Sequence, residues 1–255
     1  MSPAAWTFLD SGERTGAENM ALDESLARSL AAGEGGPVLR LFRWRPWAIS
    51  LGYNQQPGEI DAARCAADGI DIVRRPTGGR AILHAEELTY SVVMRTGRKS
   101  VLQVYNEISA ALVRGLALFG VDVALQKSQP DFRGEYRSVT SVPCFTSSAR
   151  YEIEWQGRKL VGSAQRRFGG PAGDAVLQHG SILCGAAHLR LADYLAVPDG
   201  ETRGRIRDLL VARTADLASI TGAPVPPDRL GACIRGGFEE AWGVAFGAPI
   251  HARPL

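Results

Sequence analysis

Residues 151–165, YEIEWQGRKLVGSAQ, alternate apolar and polar side chains on both sides of Gln156-Gly157. A period of two is the pattern of a half-buried β-strand, and a two-residue turn ending in glycine joins two strands as an antiparallel hairpin. A chain that contains such a hairpin is neither all-helical nor a regular βαβ repeat. Hairpins mixed with helices indicate the α+β class.

The remaining pattern supports this class. We predict helices at residues 15–36, 57–69 and 101–119, and near 188–195, 201–220 and 227–242. We predict strands at residues 6–10, 37–44, 47–55, 70–75, 81–84, 87–95, 121–125 and 175–184. No repeat or low-complexity linker interrupts them, so we expect one domain over residues 1–255. Its fold is expected to be a mixed, mainly antiparallel sheet flanked by helices.

Composition excludes several function classes. The net charge of +2 argues against a nucleic-acid-binding protein, which usually has a clear basic excess. None of the four cysteines lies in a CxxC pair, so a zinc site is not expected. The most apolar stretch, at 108–125, is broken by Arg114 and Asp122, which argues against a membrane span. Since the N-terminus MSPAAWTFLD lacks a signal-peptide pattern, we expect a cytoplasmic protein.

RRPTGGRAILH, at residues 74–84, is the first motif with chemical potential. Gly78 and Gly79 allow positive φ and close approach to a ligand, and successive N–H groups in such a loop can bind an anion. Three nearby arginines suit a carboxylate or a phosphate. A tight turn with a solvated basic edge would have the same sequence. His84 alone is more often a structural hydrogen-bonding residue than a catalyst.

Cys144 and Lys159 form a second candidate site. A free thiol is only about 3% thiolate at pH 7. An ammonium about 4 Å away at an effective dielectric of about 20 interacts by up to roughly 4 kcal/mol, enough to make the thiol nucleophilic. The same ammonium can polarise a carbonyl, which is the chemistry of acyl transfer through a thioester. A lysine beside a hairpin turn is otherwise a surface charge.

The other three cysteines fit a structural role. Cys65 and Cys233 lie in predicted helices, and Cys184 ends an apolar strand. Free cysteines usually behave as small buried apolar residues. Cys144 differs, because Pro143 precedes it and the polar residues TSS follow Phe145, a context typical of a loop that opens to a cavity.

Three ordered motifs resemble the biotin/lipoate protein ligase and octanoyltransferase superfamily: ENMALDESL, RRPTGGRAILHAEELTYSV, and GRKLVGSAQRR followed by LQHGSILC. The chain most resembles the cysteine-dependent octanoyltransferases that load the glycine cleavage H protein. In that branch a cysteine in a PCF-like segment precedes the lysine hairpin, as Cys144 does. Arg80 occupies the place where ATP-using ligases more often have a third glycine.

The resemblance implies a core like those of class II aminoacyl-tRNA synthetases and biotin protein ligases. It implies that Cys144 carries the octanoyl group as a thioester and that Lys159 lowers the thiol pKa and positions the carbonyl. The substrate-binding residues that it implies are Arg75, Gly78, Gly79, His84, Gly162, Ser163, Ala164 and His179. The partners are octanoyl-acyl carrier protein and a lipoyl domain or H protein, and no cofactor is needed.

Three alternatives remain open at this stage. An ATP-dependent lipoate ligase would use ATP and Mg²⁺ in the same fold, and an octanoyl amidotransferase between lipoyl domains would share the thioester chemistry. A non-catalytic binding domain would need neither Cys144 nor Lys159. For an acidic carrier protein, the docking residues could be Arg95, Arg98 and Lys99, or Arg166 and Arg167, although solvated surface charge explains them equally well.

Overall fold

The computed structural model describes residues 6–125, 152–247 and 250–251. Cys144 lies outside the described residues. The strands are β1 (Thr7–Arg14), β2 (Val38–Trp44), β3 (Ala48–Leu51), β4 (Asp71–Arg74), β5 (Ile82–His84), β6 (Glu87–Arg95), β7 (Ala124–Leu125), β8 (Ile153–Trp155), β9 (Arg158–Phe168), β10 (Ala175–Leu183) and β11 (Ile250–His251). The helices are α1 (Gly16–Ala32), α2 (Ala62–Ala67), α3 (Val101–Phe119), α4 (Gly200–Arg213), α5 (Leu217–Thr221) and α6 (Pro227–Trp242), with 3₁₀ segments at Pro57–Glu59 and Ala186–Tyr194.

A large mixed sheet organises the described chain. Its strand order is β11-β1-β2-β6-β10-β9-β8-β7. β1 pairs in parallel with β11 and β2, and every other pairing in this sheet is antiparallel. The expected mixed, mainly antiparallel sheet flanked by helices is therefore confirmed.

A second, smaller sheet was not predicted. β3 pairs in parallel with β4 and antiparallel with β5. Although β5 and β6 are almost contiguous in sequence, β6 joins the large sheet between β2 and β10. Local alternation identifies a strand but does not reveal its partner, which depends on contacts distant in sequence.

The two faces of the large sheet carry different layers. Even-numbered β10 residues such as Val176 and Ile182 belong to the same core as Ile108 on α3 and Ile234 on α6. Odd-numbered β10 residues face α1, where Leu177 packs with apolar α1 side chains. The small sheet lies on this same side, since its His84 approaches Ser181 of β10. The space between α1, the small sheet and the large sheet is where the cavity described below forms.

Helix ends follow capping signals, including two that divide predicted helices. Thr15 and Ser100 form capping boxes at α1 and α3, as the sequence indicates. The predicted helix at 57–69 is two short segments, because Ile60 is extended and the Asp61 side chain caps α2. The predicted helix at 201–220 likewise breaks at an extended Thr214, after which Asp216 caps α5.

Candidate active site

A cavity lies between the large sheet, the small sheet and α1. It encloses about 360 Å³ of unoccupied space, its open mouth included. Six of the predicted substrate-binding residues line it, namely Arg75, His84, Gly162, Ser163, Ala164 and His179. Met20, Trp44 and Ile82 supply large apolar walls. The structure thus brings the glycine-loop motif and the lysine-strand motif to one place.

The floor of the cavity is the junction of β9 and β10. Gly162 pairs with Ser181, and Ala164 pairs with His179, so these four residues face the same side. A Cβ added to Gly180 between them would lie 2.3 Å from the Gly162 carbonyl oxygen. Small residues here allow the two strands and the cavity contents to approach closely.

A β-bulge determines the direction of Lys159. Val161 pairs with Ile153, but Lys159 pairs with Glu154, so Leu160 is an extra residue in β9. Because Ile153 and Glu154 point to opposite faces, Lys159 and Val161 do so too. Lys159 therefore shares the cavity face with Gly162, roughly 10 Å further along the strand.

Lys159 is buried and ion-paired rather than a surface charge. Its side chain is only 5% exposed, and its ammonium donates a hydrogen bond to the buried carboxylate of Glu152. Burial raises the pKa of the neighbouring Glu154, and the Lys159 charge opposes that rise. An ammonium has three N–H donors, so it can hold one carboxylate and still bind a thiolate or carbonyl oxygen. Its approach to Cys144 stays a prediction.

The glycine loop is held by Arg75. Its guanidinium donates to Ser50 O and Ser50 Oγ, both at 3.0 Å, and to the carbonyls of Gly78 and Arg80. Gly79 adopts φ +98°, where other residues are strained. Neither Gly78 nor Gly79 lines the cavity. The structure thus places the two glycines outside the cavity lining, and Arg75 connects their loop to the cavity wall.

A buried polar network joins α1 to the cavity, and the sequence analysis did not predict it. Arg40 of β2 donates to Asp23 Oδ1 at 2.7 Å and to Asn19 Oδ1 at 2.5 Å. His179 contacts Asp23 Oδ2 at 3.0 Å through Nδ1 and Thr77 Oγ1 at 2.6 Å through Nε2. The available signal was Arg40 itself, because an arginine inside the apolar strand VLRLF requires a buried acid.

Protonation follows from these contacts. Burial opposes ionisation of Asp23, but Arg40 and the His179 hydrogen bond outweigh it and lower the Asp23 pKa. Burial lowers the pKa of His179 despite the favourable Asp23 contact. His179 is thus neutral at pH 7: its Nδ1–H donates to Asp23, and its Nε2 accepts from the Thr77 hydroxyl.

Two buried histidines, His179 in this network and His188 elsewhere, predict that the protein loses stability below pH ~6.5. An unfolded histidine titrates near pH 6.5, whereas burial lowers the folded pKa values of His179 and His188. The unfolded state therefore binds more protons, and stability falls as pH drops from ~6.5 towards the folded pKa values, by up to about 1.4 kcal/mol per pH unit for each histidine. Urea unfolding between pH 7.5 and 5 should show this slope.

His179→Gln should remove its share of the slope, and His188→Gln, at a site away from the cavity, should remove a comparable share. An unchanged slope in His179→Gln would contradict the assignment of a neutral, buried His179.

His84 is held on three sides. Its Nε2 lies 2.7 Å from Ser50 Oγ, and its Nδ1 lies 2.8 Å from Glu87 Oε1. The Trp44 ring stacks on the imidazole at 3.9 Å between centroids, with 10° between planes. Sequence motifs singled out His84 but gave no sign of Ser50, Glu87 or Trp44 as its partners, because these lie on three different strands.

The three described cysteines retain structural roles. Burial raises the pKa of Cys65 to about 11 and that of Cys184 to about 12, so both stay protonated thiols. Cys184 borders a different cleft, beside Glu86 and Asp216. Cys233 packs against the main core from α6.

The basic residues proposed for docking divide by role. Arg95 donates to the Leu30 carbonyl in the last turn of α1 and to the Ala172 carbonyl, and Arg166 donates to the Pro76 carbonyl of the glycine loop. Lys99 pairs with Glu107 at 2.6 Å, and Arg167 donates to the Lys99 carbonyl. The two groups that the sequence separated are therefore neighbours on one surface.

Across residues 6–125, 152–247 and 250–251, no cluster of three or more His, Cys, Asp or Glu side chains is arranged to hold a metal ion. Within the same ranges, no helix is long and apolar enough to cross a bilayer.

The family model described as "Lipoyl protein ligase A/B catalytic domain" matches residues 15–239. This chain belongs to that family. The match includes all three sequence motifs and every element that lines the cavity. Curated relatives 32–40% identical bear the name octanoyltransferase LipM, and the chain is accordingly an acyltransferase.

Two relatives illustrate the similarity. Octanoyltransferase LipM of Kyrpidia tusciae is 40% identical over 243 residues, covering 93% of this chain and 87% of the relative. Octanoyltransferase LipM of Symbiobacterium thermophilum is 40% identical over 244 residues, covering 94% of this chain and 88% of the relative.

Solved structures of lipoate-protein ligases share the fold. A bi-partite lipoate protein ligase from Thermoplasma acidophilum superposes with a TM-score of 0.76 at 23% identity, over 99% of this chain and 88% of that one. Lipoate-protein ligase A bound with ATP superposes with a TM-score of 0.73 at 23% identity, over 98% of this chain and 90% of that one.

Proposed function

We propose that this acyltransferase moves an octanoyl group from acyl carrier protein to a lysine of a lipoyl domain through a thioester on Cys144. The expected acceptor is the glycine cleavage H protein. The observation that best supports this is the buried Lys159 ammonium, which the bulge at Leu160 turns onto the face of the cavity floor. A buried cation on the same sheet face as the cavity floor suits a thiolate and a developing oxyanion.

Two displacements make up the reaction. The Cys144 thiolate attacks the carbonyl of the octanoyl thioester, and the carrier's thiol leaves. The ε-amine of the acceptor lysine then attacks the Cys144 thioester, forms the amide and releases Cys144. Lys159 would serve both steps by stabilising the thiolate and the carbonyl oxygen, and neither displacement needs a nucleotide.

Apolar cavity walls provide the selectivity for the acyl chain. Met20, Trp44 and Ile82 present carbon surface next to the small residues of β9. Burying about seven methylenes at ~0.8 kcal/mol each could supply roughly 5 kcal/mol against very short chains.

The test follows the mass of the intact enzyme. Incubation with octanoyl-acyl carrier protein, without ATP, should add one octanoyl group, and addition of a lipoyl domain should remove it as the domain gains the same mass. An enzyme that stays unmodified while the domain is octanoylated would overturn the proposal. A strict ATP requirement with lipoate as donor would instead indicate the ligase reaction.

The donor also separates transferase from amidotransferase. If octanoyl-H protein acylates Cys144 much faster than octanoyl-acyl carrier protein does, the chain moves octanoyl groups between lipoyl domains.

A further inference from the structure

Ser50, His84 and Glu87 form one hydrogen-bonded line, here called the Ser50–His84–Glu87 chain. Ser50 Oγ lies 2.7 Å from His84 Nε2, and His84 Nδ1 lies 2.8 Å from Glu87 Oε1. All three residues are buried, with Ser50 and His84 lining the cavity and Glu87 behind the ring. A hydroxyl, an imidazole and a carboxylate in this order are the parts of a general-base system.

The surrounding contacts determine where the protons lie. Glu87 Oε1 also accepts hydrogen bonds from Thr89 Oγ1 at 2.5 Å and Ser181 Oγ at 2.8 Å, as a carboxylate oxygen does. The imidazole therefore donates from Nδ1 to Glu87 and accepts at Nε2 from the Ser50 hydroxyl. Since Arg75 donates to Ser50 Oγ at 3.0 Å, that hydroxyl is left to donate towards His84.

Two features stabilise a positive charge on His84. Glu87 Oε2 is buried without a hydrogen-bond partner in the described structure, so a neighbouring cation would further stabilise the Glu87 carboxylate. The stacked Trp44 ring offers its π face to an imidazolium.

The chemistry of the second displacement needs a base. A neutral amine that attacks a thioester forms a positively charged nitrogen, which must lose a proton before the amide is complete. Lys159 is a cation and cannot accept that proton. The carboxylate of Glu152 is already engaged with Lys159. His84 supplies a neutral acceptor that faces the same cavity.

We propose that the Ser50–His84–Glu87 chain is the general base of the transfer of the acyl group from Cys144 to the acceptor lysine. The amine nitrogen forms the bond to the acyl carbon, the carbon–sulfur bond breaks, and sulfur leaves as thiolate. The proton lost by nitrogen goes to Ser50 Oγ while the Ser50 proton passes to His84 Nε2, and the imidazolium later releases it to solvent. This inference rests on the proposed thioester route.

The test separates the two displacements in the variants His84→Gln and Glu87→Gln. Each variant should still acquire the octanoyl mass within about 3-fold of the wild-type rate. Transfer from the isolated acyl-enzyme to the lipoyl domain should slow by about 100-fold or more. Glu86→Gln is the matched control, because Glu86 neighbours Glu87 on the chain but accepts only from the Ala187 amide among the described side-chain contacts, and it should transfer normally.

The pH dependence of transfer is the second readout. General-base catalysis requires an unprotonated base as well as an unprotonated acceptor amine, so the wild-type transfer rate should depend more steeply on pH than the rate of His84→Gln. The variant should depend on the acceptor amine alone. The charged or titratable groups that face the ring are Glu87 on β6, Arg75 after β4 and His179 on β10.

The outcomes distinguish the two proposals. If the wild type acquires no octanoyl mass, the thioester route fails and this inference fails with it. If the wild type is acylated but His84→Gln transfers normally, only this inference is overturned. Equal losses in both displacements with an unchanged pH dependence would assign the Ser50–His84–Glu87 chain a structural role, and this inference would be overturned as well.

Discussion

Cys144→Ala is expected to lower octanoyl transfer to a lipoyl domain by about 10⁴-fold or more. If the acyl group is carried on this sulfur, its removal leaves neither a nucleophile for the first displacement nor a thioester for the second. The intact mass of the variant should stay unchanged after incubation with octanoyl-acyl carrier protein. The measurement is the single-turnover rate of lipoyl-domain octanoylation, read by mass.

The other cysteines provide matched controls for this result. Cys184→Ala and Cys233→Ala each remove one thiol, and both should keep the octanoyl adduct and most of the rate. Full activity in Cys144→Ala, or loss of the adduct in either control, would refute the assignment. Folding of each variant is checked by urea unfolding.

Lys159→Met should cause the second large loss, on the order of 10³-fold in transfer rate. If the ammonium holds Cys144 as thiolate, the thiol should return towards a few per cent thiolate at neutral pH without it. Loss of a positioned oxyanion donor typically costs a further 10²- to 10³-fold. The variant's acylation rate should also rise with pH up to ~8.5, where an unassisted thiol titrates.

Stability must be separated from chemistry in this experiment. Lys159→Met leaves the buried Glu152 carboxylate without this ammonium, and breaking a buried ion pair from one side costs about 3–5 kcal/mol. The double variant Lys159→Met, Glu152→Gln removes both charges, so it should regain most of the stability. Its transfer rate should stay low. Recovery of activity along with stability would show that Lys159 is only structural.

Much of the fold could be predicted because its signals are local. The hairpin at Gln156-Gly157 forms as its alternation indicates, with both turn residues at positive φ. The helices predicted at 15–36 and 101–119 form, with Thr15 and Ser100 as their N-caps. In each case the residues that determine the structure lie within a few positions of one another.

The assignment of strands to two sheets could not be predicted. Ile82 and Leu88 lie in strands of similar apolar pattern, yet the first belongs to the small sheet and the second to the large one. Their partners, Ser50 and Ile182, lie far away in sequence, and the pattern of a single sequence does not indicate which distant strands pair.

The candidate site shows the same division. Motifs placed Lys159, His84 and His179 together, and the structure brings the two histidines to one cavity with Lys159 further along the same sheet face. Glu152 and Glu87 were missed, because an acidic residue in a strand looks the same whether it meets solvent or a buried cation. Only burial and the facing side chain separate these cases.

The added residue in β9 has a consequence for comparing chains of this kind. A strand that strictly alternates would direct the amine of Lys159 towards the layer of α3, away from the cavity. Because Leu160 is an extra residue, the even-numbered residues Gly162 and Ala164 and the odd-numbered Lys159 all face the cavity side of the sheet. An alignment of related strands that ignores this extra residue would place the lysine amine on the opposite face of the sheet.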